Sequence, residues 1–394
     1  MEKYFFYILV IFLILVLWET VKYRLHLIRR KKISTVINVN GTRGKSSVTR
    51  LLCFALREAG FKVMAKTTGT VPQILAVSGE VKNIERGAYP NINEQLMVVH
   101  EASSEGADIL VIECMAVDPN YQKVVEEKML RSDIGIITNV RNDHREVMGA
   151  TKEQIAEALC NTIPRGKVVF ASGGDGFGVI KKNTEKKRSR LIRYRPAESL
   201  TDELMKPFPF LEQRENVALV LDVCKYLGVD QETALRGMYK TIPDPGALTS
   251  IKLDWEGKWF EFVNAFSTND PDSLAMIWRR MSRKFQAGQK NFFLFNSRMD
   301  RPYRSVDTAS VFSTFPIDLF LITGDGTGLF HRALLKSGVP KGKIRLLGMR
   351  GAESIFKTCI DKAAEKNFVF CGGNIKGRGL EMINYLEGMG SLSK

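Results

Sequence analysis

Cysteine is scarce in this chain and is never clustered. The six cysteines among 394 residues are scattered, and no Cys-x-x-Cys pair occurs. This spacing argues against a zinc knuckle and against a disulfide framework, and it is typical of a reducing compartment. The composition is otherwise ordinary for a folded protein, with 44% hydrophobic and 26% charged residues. The length is sufficient for two globular domains.

Acidic residues are also in short supply. The chain has 43 Asp and Glu against 58 Lys and Arg, a net charge of +15. Such an excess indicates an anionic ligand, an anionic membrane surface, or both. The run Lys181–Arg195 holds eight basic residues and one acid, but Tyr194 is its only aromatic residue. Nucleic acid is therefore not an expected partner. A solvated face, an acidic polymer and lipid remain open for this run.

One long apolar run stands at the N-terminus. Residues Tyr4–Trp18 are unbroken apolar, and extension to Val21 gives 18 residues, close to the roughly 20 that span a bilayer. No small-residue cleavage site follows, and Glu2-Lys3 is not a basic leader, so we expect a retained single span rather than a signal peptide or a buried core helix.

The charges that flank this run predict its orientation. Lys3 is the only basic residue upstream, whereas six lie downstream up to residue 32. Positive residues stay on the cytoplasmic side, so we expect a single-pass cell-membrane protein with its body in the cytoplasm. Residues 1–32 then form the transmembrane helix and a basic segment able to contact anionic lipid head groups.

A strand, a glycine turn and a helix follow one another after this segment. Thr35–Val39 alternates β-branched residues, Gly41 and Gly44 permit a turn, and Val48–Ala59 has a helical pattern. Backbone N–H groups of such a loop surround phosphate oxygens at a helix N-terminus. Lys45 is expected at the β- and γ-phosphates and Ser46 on Mg²⁺. The residues predicted to bind ATP here are Gly41, Thr42, Arg43, Gly44, Lys45, Ser46 and Ser47.

Polar side chains follow two further apolar strands. Ala107–Ile112 leads into Glu113, and Ile134–Thr138 leads into Asn139, Asp143 and His144. Ligands of open α/β sheets bind at the carboxyl ends of strands. Glu113 is therefore predicted to bind magnesium beside the phosphate loop. His144 is a candidate ligand of Mg²⁺ or of the phosphates, and the alternative is that it caps a helix.

The alternation of strands and helices predicts the fold class. Through residues 33–245 it is typical of an α/β domain with a doubly wound parallel sheet. Pro243–Gly246 marks the expected boundary. Beyond it, three apolar strands with polar or glycine-rich ends predict a smaller Rossmann-like domain at residues 246–394.

Basic residues cluster after the first strand of this second domain. Planar guanidinium groups suit carboxylates and phosphates. We expect this cluster to hold a substrate carboxylate or the γ-phosphate, with surface ion pairs as the alternative. The predicted substrate-binding residues are Arg298, Asp300, Arg301 and Arg304.

The motifs resemble those of the Mur ligase superfamily, ATP-dependent enzymes that form amide bonds. Gly41–Ser46 is similar to the family's Gly-Thr-Asn-Gly-Lys-Thr loop, with Arg43 in place of Asn. Thr138-Asn139 and Asp143-His144 resemble its Thr-Asn…Asp-His signature, and Asn216 resembles an Asn that approaches the nucleotide. Asn139 and Asn216 are therefore also predicted to bind ATP. The resemblance implies catalytic roles for Lys45, Glu113 and His144, with Ser46, Glu113 and His144 on magnesium.

A closer resemblance extends almost end to end. It is to the ligase subunit family of poly-γ-glutamate synthases, the PgsB/CapB family. The motifs that carry it include Lys66–Thr70, Glu113–Val117, Asp143–Gly149, Asn296–Arg301 and Gly372–Asn374. The resemblance implies glutamate and the growing poly-γ-glutamate as substrates, capsule or polymer synthesis at the membrane, and a multi-span membrane subunit as partner. The oligomeric state is left open.

These expectations combine into one reaction. A substrate carboxylate attacks the γ-phosphate of ATP, and a glutamate amine then attacks the acyl phosphate to form a γ-amide. Closure about the expected hinge would exclude water from the intermediate. Two alternatives remain open: a folylpolyglutamate-type ligase with a soluble acceptor, and a non-catalytic nucleotide-gated membrane scaffold.

Overall fold

The computed structural model describes residues 2–69, 71–86, 91–194, 200–208, 210, 212–243, 248–268, 270–283, 285–300 and 302–390. It divides into two compact units. The first comprises Met1–Phe208 and Glu212–Ile242, and the second comprises Pro209–Leu211 and Pro243–Lys394. Of the expected boundary Pro243–Gly246, residues 244–246 lie outside the described residues, so the 33–245 and 246–394 division stays a proposal.

The first unit is built on an eight-stranded sheet. Its strands are β1 (Thr35–Asn40), β2 (Val63–Thr67), β3 (Gln73–Leu75), β4 (Val81–Asn83), β5 (Ile109–Glu113), β6 (Ile134–Ile137), β7 (Val168–Ser172) and β8 (Arg190–Tyr194). The strand order is β4-β3-β2-β5-β1-β6-β7-β8. The run from β2 to β8 is parallel, which confirms the α/β prediction. The antiparallel hairpin of β3 and β4 at one edge was not predicted.

Helices cover both faces of this sheet. They are α1 (Glu2–Lys32), α2 (Lys45–Glu58), α3 (Glu94–Ser104), α4 (Pro119–Val124), α5 (Arg145–Met148), α6 (Lys152–Leu159), α7 (Phe177–Lys186), α8 (Asp202–Met205), α9 (Arg214–Tyr226) and α10 (Gln231–Tyr239). Helix α4 continues into a π-helical segment, Val125–Leu130, and α6 into a 3-10 turn, Cys160–Thr162. The sequence signals are local: Asp118 caps α4 ahead of Pro119, and Thr151 and Gln154 form a capping box on α6.

Helix α1 contains the apolar N-terminal run. It is long and apolar enough to cross a membrane, and none of its apolar window is buried in the structure. Only its last turns pack on the first unit. Arg30 donates to the carbonyls of Leu130 and Arg131 and pairs with Asp133 at 2.6 Å, while His26 Nε2 lies 2.7 Å from the Met129 carbonyl.

The second unit has a six-stranded sheet of order β13-β12-β11-β14-β10-β9. Its strands are β9 (Thr249–Trp255), β10 (Lys258–Asn264), β11 (Lys290–Ser297), β12 (Leu319–Gly324), β13 (Ile344–Gly348) and β14 (Lys366–Gly373). All pairs are parallel except β9 with β10. The helices are α11 (Pro271–Ser282), α12 (Pro302–Phe312), α13 (Thr327–Lys336), α14 (Ala352–Asp361) and α15 (Arg378–Gly390), with a 3-10 turn at Lys341–Lys343.

Each sheet has an apolar layer on both faces. In the second unit the layers are rich in phenylalanine: Phe260 and Phe262 lie in one layer, and Phe293, Phe312 and Phe370 in the other. Burial of such a side chain contributes about 1.5–3 kcal/mol. All six cysteines are unpaired and buried, as their spacing indicated, and burial raises the pKa of the Cys53 thiol to about 11.

Candidate active site

The predicted phosphate loop, residues 41–47, follows β1, a central strand of the first sheet. Strand β1 lies between β5 and β6, and its Val39 pairs with Glu113. Parallel pairing brings the ends of these three strands to one edge, as expected for a ligand site. Gly41 has φ +132° and Gly44 has φ +81°, which L side chains rarely adopt.

Close packing also requires these two glycines. A Cβ on Gly41 would lie 2.1 Å from Thr138 Oγ1, and one on Gly44 would lie 2.6 Å from Asn216 Oδ1. Asn216 at the start of α9 is therefore directly against the loop, where the sequence predicted a nucleotide-side residue. Its amide donates to Glu212 Oε1 at 2.7 Å.

Ser46 and Glu113 meet at the mouth of the loop. The Ser46 hydroxyl donates to Glu113 Oε2 at 2.8 Å, and the Thr68 N–H donates to the same oxygen at 2.7 Å. Glu113 is buried, at 3% exposure. A hydroxyl and a carboxylate side by side form a donor set suited to a hard divalent cation, so the residues present fit the magnesium that the sequence predicted.

Lys45 begins α2, and its side chain turns back over the loop. Its ammonium donates to the Gly41 carbonyl at 2.7 Å and lies 3.5 Å from the Thr42 carbonyl. The left-handed Gly44 precedes α2, so the helix N–H groups open onto the loop. This arrangement concentrates positive charge where a polyphosphate would bind.

Asn139 has a different surrounding from the one its predicted role suggested. Its Oδ1 accepts from Thr42 Oγ1 at 2.7 Å and from the Arg43 N–H at 3.1 Å, and its Nδ2 donates to the Arg43 carbonyl. The amide thus holds the phosphate loop in shape. Direct contact of Asn139 with nucleotide stays a prediction.

His144 belongs to the turn that follows β6. It is a left-handed residue with φ +49°, and its ring lies 3.7 Å from Asp143 and 3.7 Å from Glu146. Asp143 in turn pairs with Arg43 at 3.0 Å. Within the described part of the chain, no three His, Cys, Asp or Glu side chains form a metal-binding group. Ser46 with Glu113 is thus the pair the structure joins, and His144 as a metal ligand stays a prediction.

A buried ion network lies behind Glu113, and sequence reasoning missed it. Lys66 on β2 is fully buried, and its ammonium lies 3.3 Å from both Glu94 Oε2 and Gln95 Oε1. Gln95 also donates to the Glu113 carbonyl at 3.4 Å. Burial lowers the pKa of Lys66, and the Glu94 charge opposes this shift. The available signal was a lysine directly after the apolar residues Val63–Ala65 of the strand.

The second unit contains a cleft at the carboxyl ends of β11 and β14. The residues that line it are Leu274, Phe295, Asn296, Arg298, Arg304, Ser305, Thr308, Gly373 and Asn374. Arg298 donates to Asp300 from Nε and from Nη2, at 2.9 and 2.6 Å. Arg298 and Arg304, two of the predicted substrate residues, therefore share one cleft, whereas Arg301 lies outside the described residues.

Family comparisons agree with both units. The Mur ligase middle domain matches residues 39–238, and the poly-gamma-glutamate synthase CapB C-terminal domain matches residues 251–389. The chain is 33% identical to PGA synthase CapB of Bacillus subtilis, over 89% of this chain and 90% of that protein. It is also 33% identical to the capsule biosynthesis protein CapB of Bacillus anthracis, over 94% of this chain and 79% of that protein.

Solved structures agree on the fold. Escherichia coli FolC in complex with ADP superposes with a TM-score of 0.69 at 15% identity, covering 93% of each chain. A bifunctional folylpolyglutamate synthase/dihydrofolate synthase from Yersinia pestis, complexed with AMPPNP and Mn ion, gives 0.65 at 15% identity over 92% of each chain. MurF from Acinetobacter baumannii gives 0.65 at 16% identity, over 93% of this chain and 80% of that one. On its sequence relatives and its Mur-ligase-like fold together, the chain belongs to the poly-γ-glutamate synthase CapB family of ATP-dependent ligases.

Proposed function

We propose that this protein polymerises glutamate through γ-amide bonds at the cell membrane, with an acyl phosphate as intermediate. The observation that carries the proposal is the Ser46–Glu113 pair, 2.8 Å apart, beside a glycine loop that also holds the Lys45 ammonium. The names of the CapB relatives supply the product class.

The first step assigns roles to the loop. A glutamate carboxylate, from the growing chain, attacks the γ-phosphorus of ATP and displaces ADP. Lys45 leaves the Gly41 carbonyl to contact the β- and γ-phosphates, and the N–H groups of Gly44–Ser47 at the start of α2 surround their oxygens. Asn139 and Asn216 complete the ATP-binding set of the proposal. The Arg43 side chain, which pairs with Asp143, is assigned to the shape of the loop rather than to the nucleotide. Mg²⁺, when bound, would neutralise charge that gathers on the transferred phosphoryl group.

Three residues are assigned to the metal side of the site. Ser46 and Glu113 offer adjacent oxygen atoms, and the Thr68 N–H orients the Glu113 carboxylate. His144 is the third proposed ligand, presented by the turn after β6. A hydrogen bond such as the one from the Thr68 N–H to Glu113 fixes the direction in which a ligand atom points.

The cleft of the second unit is the proposed site for substrate carboxylates. Arg298, Arg304 and, from the sequence, Arg301 supply guanidinium groups that pair with carboxylates in a planar geometry. Asp300 occupies the fork of Arg298 in this structure. A substrate carboxylate would exchange with it, because the two groups have the same charge and shape.

The membrane assignment depends on helix α1. Its apolar window is wholly exposed, while Arg30 and His26 attach its last turns to the first unit. A helix that is buried only at one end needs another apolar environment for the rest, and a bilayer supplies it. A single span cannot form an export path for a polyanion, so a multi-span membrane subunit is a proposed partner.

The test measures glutamate incorporation and ADP release in membranes that contain the full chain. Lys45→Ala and Glu113→Ala are expected to abolish both, because each removes a charge from the phosphoryl-transfer site. Lys181→Ala and Glu127→Ala, at exposed positions, are the matched controls and should retain activity. Undiminished polymer synthesis in both site variants would overturn the proposal. Incorporation only when a folate acceptor is added would instead support a folylpolyglutamate-type ligase.

A further inference from the structure

Two turns at the edge of the first sheet are joined by several polar contacts. One is the phosphate loop after β1, and the other is the segment 138–143 after β6. The Thr42 N–H donates to the Asn139 carbonyl, and Thr42 Oγ1 accepts from the Arg141 N–H at 2.9 Å. Thr138 Oγ1 donates to the Arg43 carbonyl at 2.6 Å. The two turns therefore behave as one structural body.

Arg43 is the residue on which these contacts converge. Its N–H and its carbonyl both bond to Asn139, and its guanidinium pairs with Asp143 at 3.0 Å. The Asp143 side chain is only 5% exposed and that of Arg43 is 20% exposed. An ion pair at this depth is screened much less than one on the surface.

Asp143 connects this contact to the adjacent histidine. Its Oδ1 accepts the His144 N–H at 3.0 Å, while Oδ2 faces Arg43. His144 has φ +49°, a conformation that costs a non-glycine residue of order 1–3 kcal/mol and persists only when its surroundings hold it. One carboxylate thus joins the phosphate loop to a strained histidine turn.

We propose that Arg43 is a positioning residue, which through Asp143 holds the His144 imidazole in register with the phosphate loop. The inference rests on the proposed function, which uses His144 on the metal side of ATP. An amide at position 43 would have no charge to pair with Asp143. The ion pair that couples the loop to the histidine turn therefore depends on the arginine.

The test measures binding rather than turnover, on the full chain in detergent. Mn²⁺ affinity in the presence of AMPPNP is followed by electron paramagnetic resonance, and AMPPNP affinity without metal by calorimetry. Arg43→Asn and Asp143→Asn are each expected to weaken Mn²⁺ binding by about 10-fold, the lower range for losing a group that orients a metal ligand. Metal-free AMPPNP affinity should change by less than about 2-fold, since the loop N–H groups remain.

Two further variants decide between positioning and a merely structural role. Arg43→Lys keeps the charge, so it should recover most of the Mn²⁺ affinity. The double variant of Arg43→Asn with Asp143→Asn should be no weaker than either single variant, because both break the same contact. Arg236→Asn, which removes an exposed ion pair with Glu58, is the matched control and should leave both affinities unchanged.

Three results would overturn the inference. One is a loss of metal-free AMPPNP affinity in Arg43→Asn with none in Asp143→Asn, which would place Arg43 directly on the nucleotide. Another is a loss of Mn²⁺ affinity in the double variant that equals the product of the fold-losses in Arg43→Asn and Asp143→Asn. The third is an unchanged Mn²⁺ affinity in His144→Ala. Failure of the proposed function is separate, because it would appear as wild-type Mn²⁺ and AMPPNP binding without glutamate incorporation.

Discussion

The hydroxyl of Ser46 and the carboxylate of Glu113 lie 2.8 Å apart although 67 residues separate them in the chain. Parallel pairing of β1 with β5 produces this proximity, because Val39 and Glu113 are partners in the register. The hydroxyl donates its proton to the carboxylate. Ser46 and Glu113 would together hold a divalent cation and supply it with two oxygen ligands.

This relationship predicts how the two residues respond to substitution. Glu113→Gln removes the charge that holds a cation, so we expect ATP turnover to fall by about 10²-fold or more. Ser46→Ala removes one neutral ligand, so its main effect should be a higher Mg²⁺ requirement. Mg²⁺ titrations of ADP release measure both effects. A Ser46→Ala variant with unchanged Mg²⁺ dependence would contradict the assignment of this hydroxyl.

Gly44 offers a test of the loop conformation. Gly44→Ala places a methyl group 2.6 Å from Asn216 Oδ1 at a backbone φ of +81°. Gly228→Ala has nearly the same φ, +80°, but nothing within 4 Å of the new Cβ. The control should lose about 1 kcal/mol of unfolding free energy from backbone strain, and Gly44→Ala clearly more. Equal losses of unfolding free energy, measured by urea denaturation, would show that Asn216 moves away from the new methyl group without cost.

Glu126 predicts a pH dependence of stability. Burial raises its pKa above the usual value, and it accepts from Asn38 Nδ2 and from Ser132. The folded state therefore binds this proton more tightly than the unfolded state. The resulting stability is fully present below the unfolded pKa, near 4.3, and is lost as pH rises through the folded pKa.

Glu126→Gln removes this titration. Asn38 turns its Nδ2 toward residue 126 in this structure. Once that amide turns over, the glutamine N–H₂ can donate to Asn38 Oδ1, a buried acceptor without a hydrogen-bond partner in the described structure. The variant should therefore gain stability relative to wild type as pH rises from 5 to 8, as measured by thermal unfolding. Glu127→Gln on the exposed side of the same segment should show no such trend. A gain independent of pH would argue against the raised pKa.

Arg30 tests the attachment of α1 to the first unit. Its guanidinium contacts the carbonyls of Leu130, Arg131 and Ile33 and the carboxylate of Asp133. Arg30→Met should expose the segment around Arg131 to protease in membranes and destabilise the unit by about 3 kcal/mol, because a partly buried Asp133 loses one partner. Lys31→Met, at an exposed neighbour, is the control. Identical digestion of both variants would mean that the Arg30 contacts contribute little to the attachment of α1 to the first unit.

Arg304 tests the cleft of the second unit. Arg304→Lys keeps a positive charge but loses the planar fork, so the KM for glutamate should rise by about 10-fold. The KM for ATP should be unchanged if the cleft holds only the amino acid. Arg332→Lys, exposed on α13, should alter neither constant. A rise in the KM for ATP, with the KM for glutamate unchanged, would instead assign Arg304 to nucleotide binding.

Much of the first unit followed from local sequence. The strand, glycine turn and helix of residues 35–58 were readable because β-branched residues, glycine and helix formers act over a few neighbours. Asp118 with Pro119 and Thr151 with Gln154 marked helix starts for the same reason. The predicted ends of the apolar strands also placed Glu113 at the correct edge.

The sequence alone determined that this chain has an apolar N-terminal helix, a glycine turn between a strand and a helix, and two α/β units, because these depend on composition and short-range pattern. Only the tertiary structure decided which side chains meet: Lys66 with Glu94, Arg30 with Asp133, and Arg43 with Asp143. The physical reason is the strand order β2-β5-β1-β6. Neighbours in the sheet are not neighbours in the chain, and a buried charge pairs with whatever group the sheet brings beside it.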